Sequence, residues 1–301
     1  MNKVIIAGSI NQDIVVFAHH HPKIGETVFG NNLKYFPGGK GANQAIASAK
    51  LGARTVMLGR VGNDTFGEQL IVFLKQQNVE TQILVEKDGP TGTAIITVAG
   101  QNSDNTIVVI PGANFLFTAQ DIKDVSLEKG DILVSQFEIP IETVEAFFRK
   151  GRVAETINVF NPAPAQIISQ SLLDIVDILI LNETELSFIS GMLVDVSSEE
   201  SIKNAVQKIK NNNLIIVVTL GERGVIAFTD GNIIKVPGRK VKVIDTTGAG
   251  DCFVGALAAS MARGKTFTES LVSANIAASI SVTREGAGSS MPSLDEVATL
   301  I

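Results

Sequence analysis

"VIDTTGAGDCFVGALAASMARG", residues 243–264, starts with β-branched residues, passes through two glycines around one alanine, and ends as an alanine-rich helix. Where that helix begins stands a carboxylate, Asp251. Helix N-termini favour acidic side chains, so a capping aspartate is one reading. A cap, however, needs no pair of glycines before it. Gly248 and Gly250 let the backbone turn sharply and approach a ligand. The N–H groups of Ala249, Gly250 and Asp251 are orphans at the helix start and form an anion hole that the helix dipole reinforces. Beside such a hole, Asp251 can accept a proton from a substrate hydroxyl that attacks a phosphoryl group held there.

Outward from this stretch the chain alternates strand and helix. "KVIIAGSI", "ARTVMLGRVG", "DILVSQ", "TINVFN", "DILILN" and "NLIIVVTLG" are apolar runs of strand length, and helical stretches follow most of them. "KGANQAIASAKLG" reads as a helix stopping at Gly52, and "DTFGEQLIVFLKQQN" as a helix capped by Asp64. The alternation predicts an α/β fold of three layers, a mainly parallel sheet flanked by helices. "DIVVFA", "LKYFPGG" and the hairpin "TGTAIITVAGQNSDNTIVVIPGAN" break the pattern, and "GVIAFTDGNIIKVPG" is a second hairpin with an Asp-Gly turn. Strands from about 13–36 and 92–110 are expected to form a small β-sheet lid on a single domain spanning residues 1–301.

The composition narrows the function. The net charge of −6 gives no global basic field for nucleic acid. Cys252 is the only cysteine, so neither an intrachain disulfide nor a cysteine-based zinc site can form. No apolar run reaches the ~18 residues of a membrane span, and the N-terminal run reads as a buried strand rather than a signal peptide. A cytoplasmic protein is expected. The histidines at 19–21 point different ways and read as a solvated loop, and Cys252 as a small buried residue behind Asp251. "ASMARGKT" nearly matches a Walker A loop, but Ala259 replaces its first glycine and it ends a helix.

In open α/β sheets, ligands bind beyond the C-terminal ends of the strands. The polar residues there are Asn11, Asp13, Glu138, Asn161, Asn182, Glu185, residues 219–224 and residues 245–251. "PGGKGANQA" is neither a Walker A loop nor a dinucleotide fingerprint, since Gln44 stands where the third glycine should be. It offers glycine backbone close to a ligand, with Lys40 and Asn43 as donors to hydroxyl groups.

Taken together, "GSINQDIVV", "GGKGANQA", "NETE", "TLGERG" and "DTTGAGDCFVGAL" resemble the ribokinase-like (PfkB) carbohydrate kinases, in that family's order and spacing over essentially the whole chain. The resemblance implies ATP-dependent phosphorylation of a sugar hydroxymethyl group, with Asp251 as base and Gly248, Ala249 and Gly250 around the anion hole. It implies that Asn11, Asp13, Gly39, Lys40, Asn43 and Glu138 bind the sugar. Asn182 and Glu185 fall near the phosphates and Mg²⁺. Thr219, Gly221, Gly224 and Asn275 fall on the nucleotide. Asp245, Thr247, Ser281, Arg284, Gly286 and Ser290 align with a site for K⁺, partly through backbone carbonyls, although Gly288 and Ser289 depart from the family's bulkier or more polar residues. It also implies a homodimer through the lid. The hydroxyl-binding set suits D-ribose. Other kinases of the family, acting on 2-deoxyribose, fructose or adenosine, and a catalytically silent sugar sensor are the rivals, the last disfavoured by the intact base and glycines.

Overall fold

The first apolar run faces two ways. Val4 and Ile6 enter one hydrophobic core, Ile5 and Ala7 another, because successive side chains of a strand point to opposite faces. A strand buried on both faces belongs inside a parallel sheet covered by helices. The computed structural model, which describes residues 2–99, 104–209 and 213–301, has that architecture. The chain opens with β1 (Val4–Ala7), β2 (Asn11–Ala18), β3 (Gly30–Gly38), α1 (Lys40–Lys50), β4 (Thr55–Gly62), α2 (Thr65–Gln76) and β5 (Glu80–Glu86). It continues with β6 (Gly92–Ala99), β7 (Asp104–Ile110), β8 (Ile132–Gln136), α3 (Ile141–Ala154), β9 (Ile157–Asn161), α4 (Gln170–Leu173), β10 (Ile178–Asn182) and α5 (Glu183–Ser190). It ends with α6 (Glu199–Val206), β11 (Ile215–Thr219), β12 (Gly224–Phe228), β13 (Ile233–Pro237), α7 (Ala249–Ala262), α8 (Phe267–Ser281) and α9 (Leu294–Ala298).

The large sheet has nine strands in the order β13-β12-β11-β10-β9-β8-β1-β4-β5. All neighbours from β5 to β11 are parallel, and β12 and β13 close the edge antiparallel. On one face, Ile46 of α1, Leu70 of α2, Leu257 of α7 and Leu271 of α8 share a core. On the other, Phe147 of α3, Leu172 of α4, Leu186 of α5 and Ile202 of α6 share the second. The three layers expected from the alternation are present.

A second sheet of four strands runs β3-β2-β6-β7. Its register places Tyr35, Ile14, Ile95 and Val108 in one row and Phe36, Asp13, Ala94 and Val109 in the next, on the opposite face. The turn of the hairpin joining β6 to β7 lies outside the described residues. Two features have little local signal in the sequence. β5 has only a three-residue apolar run, Ile83 to Val85, as an edge strand whose residues are alternately half-buried and exposed over much of its length. The β-branched start at Val243 and Ile244 forms no strand, since both side chains are exposed and the segment instead ties to Val282 O through Ile244 N–H (2.8 Å) and Asp245 N–H (3.2 Å).

Candidate functional site

Asp251 lies in the first turn of α7, behind an N-cap Gly248 at φ 74°, a conformation that L side chains rarely adopt. No side chain caps this helix, so the carboxylate of Asp251 is not a cap. It is buried, and its oxygens accept from two amides of α1: Oδ2 from Asn43 Nδ2 and Oδ1 from Gln44 Nε2, each at 3.0 Å. The Ala249 N–H turns back to Thr246 O at 3.2 Å, so the anion hole expected from three donors rests on those of Gly250 and Asp251. A Cβ on Gly250 would meet nothing within 4 Å, leaving this helix start open for a close approach.

The residues expected to bind a sugar gather where the two sheets meet. Gly39, at φ 89°, caps α1 between Asn11 N and Ser9 O. Asn11 Oδ1 accepts from Asn114 Nδ2 at 2.7 Å. Glu138 Oε2 accepts from Ser9 Oγ at 2.5 Å and from the Lys40 N–H at 3.2 Å. Burial above all, then repulsion from Glu138 and Asp251, pushes the Asp13 carboxyl from the ordinary 3.8 up to about 7, against the pull of Lys40. Burial alone would lower Lys40, but attraction to Asp251, Glu138, Glu185 and Asp13 outweighs it and holds the ammonium above its ordinary range.

The folded chain thus binds the Asp13 proton more tightly than the unfolded chain does. The stability this group contributes is full below pH 3.8 and is lost as the pH rises through about 7. Asp13→Asn is expected to raise the melting temperature of the ligand-free protein by several degrees at pH 8 and by less at pH 5. Thermal unfolding at the two pH values checks this. An equal or negative difference at pH 8 would show that Asp13 is not under electrostatic strain.

A cleft of about 190 Å³ brings Lys40, Asn182, Glu185, Thr219, Gly248, Ala249, Gly250 and Asp251 together. Lys40 therefore lies between the cluster around Glu138 and this cleft. Asn182 and Glu185 form a capping box on α5: Asn182 Oδ1 accepts from Glu185 N (2.8 Å) and Glu185 Oε2 from Asn182 N (2.9 Å). Burial holds the Glu185 carboxyl above its ordinary range, against the Asn182 hydrogen bond and Lys40. Beyond Thr219, Gly221 opens a short turn and Gly224 begins β12. The Gly238 N–H closes that turn on Arg223 O (3.0 Å), and Asn275 Nδ2 reaches Pro237 O (2.8 Å), which ties α8 to the end of β13; of the residues expected on the nucleotide, Thr219 lines the cleft, whereas Gly221, Gly224 and Asn275 do not.

Asp245 and Thr247 face the loop after α8. The Asp245 carboxylate accepts from Thr247 N (2.9 Å), Thr247 Oγ1 (2.6 Å) and Gly286 N (2.9 Å). Burial opposes its ionisation, but these hydrogen bonds outweigh it and hold the carboxyl below the ordinary range. The hydroxyls of Ser281 and Ser290 donate to Ala278 O and Ala287 O, and the Arg284 guanidinium pairs with Glu296. Arg284 is left its carbonyl to offer a cation. The donor set of carboxylate, hydroxyl and carbonyl oxygens is the kind that suits a hard cation.

Sequence reasoning passed over Gln44, Gln136, Asn114 and Ser9. The signal for Gln44 was a polar residue among Ala42, Ala45, Ile46 and Ala47 of α1, and its full burial emerges only in the structure. Cys252 is buried and its thiol is pushed up to about 12 by burial, which fits a packing role. His20 Nε2 meets Glu26 Oε1 at 3.1 Å on the surface. Among the described residues, no three His, Cys, Asp or Glu side chains gather as a metal site, and no helix is long and apolar enough to cross a membrane.

The family model for pfkB family carbohydrate kinases matches residues 1–294. A ribokinase of Haemophilus influenzae is 36% identical, over 97% of this chain and 95% of its own length. A deoxyribokinase of Salmonella typhi is 34% identical, over 97% and 96%. A solved structure of Arabidopsis thaliana ribokinase, complexed with ribose and ATP, superposes with a TM-score of 0.90 at 32% identity, covering 100% of this chain and 99% of its own.

Proposed function

The chain belongs to the pfkB family of carbohydrate kinases, and from that membership we propose that it transfers the γ-phosphoryl group of ATP to the 5-hydroxyl of D-ribose. One observation carries the reading: Asp251 is held by two amides at the junction of a buried, hydroxyl-matching polar cluster and an uncapped helix start that opens on a cleft.

Asn11, Asp13, Gly39, Lys40, Asn43 and Glu138 bind the sugar hydroxyls and turn O5 toward Asp251. Asp251 takes the O5 proton as the O5–P bond forms and the bond to the β-phosphate oxygen breaks, releasing ADP. Phosphoryl transfer has a loose transition state, so positioning and charge stabilisation dominate. The N–H groups of Gly250 and Asp251 take developing charge on the transferred group, and one such donor can be worth ~3 kcal/mol. Thr219, Gly221, Gly224 and Asn275 hold the nucleotide. Asn182 and Glu185 would hold Mg²⁺, which neutralises phosphate charge. Asp245 and Thr247, with carbonyls of the 281–290 loop, would hold K⁺, which adds positive charge beside the anion hole.

The small sheet closes over the sugar, its Asp13 row inward. Its outer row, with Tyr35, Ile95 and Val108 exposed, pairs with a second copy in a homodimer. A cytoplasmic location, where ATP is at hand, goes with this reading.

The test is a coupled ATP-turnover assay on D-ribose with Mg²⁺, in which KCl is titrated at constant ionic strength. Turnover is expected to require Mg²⁺ and to rise several-fold with K⁺. A flat KCl response would remove the Asp245 loop from the mechanism. No turnover on any of ribose, 2-deoxyribose, fructose or adenosine would overturn the kinase reading.

A further inference from the structure

Behind the base runs a chain of buried amides that binds neither sugar nor nucleotide in the mechanism above. Gln136, at the end of β8, donates from Nε2 to Gln44 Oε1 at 2.6 Å. Gln44, on α1, donates from Nε2 to Asp251 Oδ1 at 3.0 Å and to Asn161 Oδ1 at 3.3 Å. Asn161 in turn donates from Nδ2 to Ile180 O at 3.0 Å. Gln44 and Gln136 are both 0% exposed.

The chain has a direction. A primary amide has one acceptor oxygen and one NH₂ group. With Gln44 Oε1 occupied by the Gln136 NH₂, the Gln44 NH₂ must face Asp251. A flipped Gln44 would set its oxygen against the carboxylate and its NH₂ against that of Gln136. Gln136 achieves this at a cost, because its own Oε1 is buried without a hydrogen-bond partner. The backbone makes room for it: a Cβ on Gly8 would lie 2.2 Å from Gln136 Oε1. The base end is equally fixed. A Cβ on Gly255 of α7 would lie 2.3 Å from Gln44 O, so the two helices touch backbone to backbone beside the pair.

We propose that Gln44 and Gln136 are positioning residues for the base: Gln136 fixes the orientation of the Gln44 amide, and that amide, opposite Asn43, holds the Asp251 carboxylate in the attitude that receives the substrate proton. The proposal rests on Asp251 being the base. Gln44 touches no substrate, so its loss acts on the chemical step rather than on binding.

The experiment measures kcat and the KM for D-ribose in Gln44→Met, Gln136→Met, the double variant, Asp251→Asn, and Gln44→Met combined with Asp251→Asn. Methionine keeps the length and removes the donors. Gln44→Met is expected to lower kcat about 10–100-fold, the scale of a hydrogen bond to a charged group, with the ribose KM within about twofold. Gln136→Met is expected to lower kcat less, and to add nothing in the Gln44→Met background, because it acts through Gln44. Gln44→Met is likewise expected to add nothing to Asp251→Asn. Gln44→Glu, which turns an oxygen on the carboxylate, is expected to lose more than Gln44→Met, and Gln136→Met, which leaves Gln44 in place, is read by itself if the Gln44 variants do not fold. An inactive Asp251→Asn with Gln44 variants near wild-type kcat, additive losses, or an effect on KM instead of kcat would overturn the positioning role alone. An active Asp251→Asn would overturn the base assignment beneath it.

Discussion

Asp251→Asn is expected to lower kcat about 10²–10⁴-fold, the usual cost of losing a general base, with the ribose KM changed by less than about threefold. The substitution keeps the shape and leaves an oxygen to accept from one of the two amides that hold Asp251. No cap is lost, since the carboxylate makes no capping bond to α7. A fall in kcat at constant KM marks an interaction made in the transition state only. Steady-state kinetics on the purified variant, with ribose protection against thermal unfolding as the binding check, measures both. Turnover near that of the wild type would remove Asp251 from the chemistry.

The second large effect concerns the sugar. D-ribose is expected to exceed 2-deoxyribose in kcat/KM by about 10²-fold or more, and adenosine by more still. Similarity alone does not decide this, because a ribokinase at 36% identity and a deoxyribokinase at 34% both align over nearly the whole chain. The site does. Asn11, Asp13 and Glu138 are polar groups in a largely buried cluster, and Asp13 already carries the strain of burial beside two other carboxylates. A sugar lacking a hydroxyl leaves one of these groups unpaired, and such sites reject the deficient analogue by as much as ~10⁴-fold. A nucleoside would call for an apolar or aromatic base pocket, and the chain has no tryptophan and one tyrosine. Competition kinetics with the paired sugars gives the ratio directly. Equal or better efficiency with 2-deoxyribose would defeat the hydroxyl argument, and a preference for adenosine would defeat the substrate assignment.

Much of the architecture is legible in the amino-acid sequence. Apolar runs such as "KVIIAGSI" and "NLIIVVTLG" declare strands buried on both faces, and their polar ends mark the ligand edge. Asp64 announces α2, and its carboxylate accepts from Gly67 N–H. Other features lack a local signal. β5 lies at a sheet edge and mixes polar with apolar residues, so only the short run Ile83 to Val85 betrays it. Val243 and Ile244 carry strand-like residues into a loop, and the backbone partner of Ile244 is Val282, far along the chain. Gln44 and Gln136 are separated by 92 residues and become one unit only when α1 packs beside the end of β8. "NETE" is a capping box as well as a cleft wall, two roles that a four-residue motif cannot separate.

The most direct test is to identify the product. Purified protein is incubated with D-ribose, ATP, Mg²⁺ and K⁺, and the mixture is followed by ³¹P NMR. The account predicts that ATP is replaced by equal amounts of ADP and one phosphomonoester, whose phosphorus couples to the two protons on C5 of the sugar. Free phosphate in place of an ester, a phosphate carried on another carbon, or ATP left unchanged would contradict it.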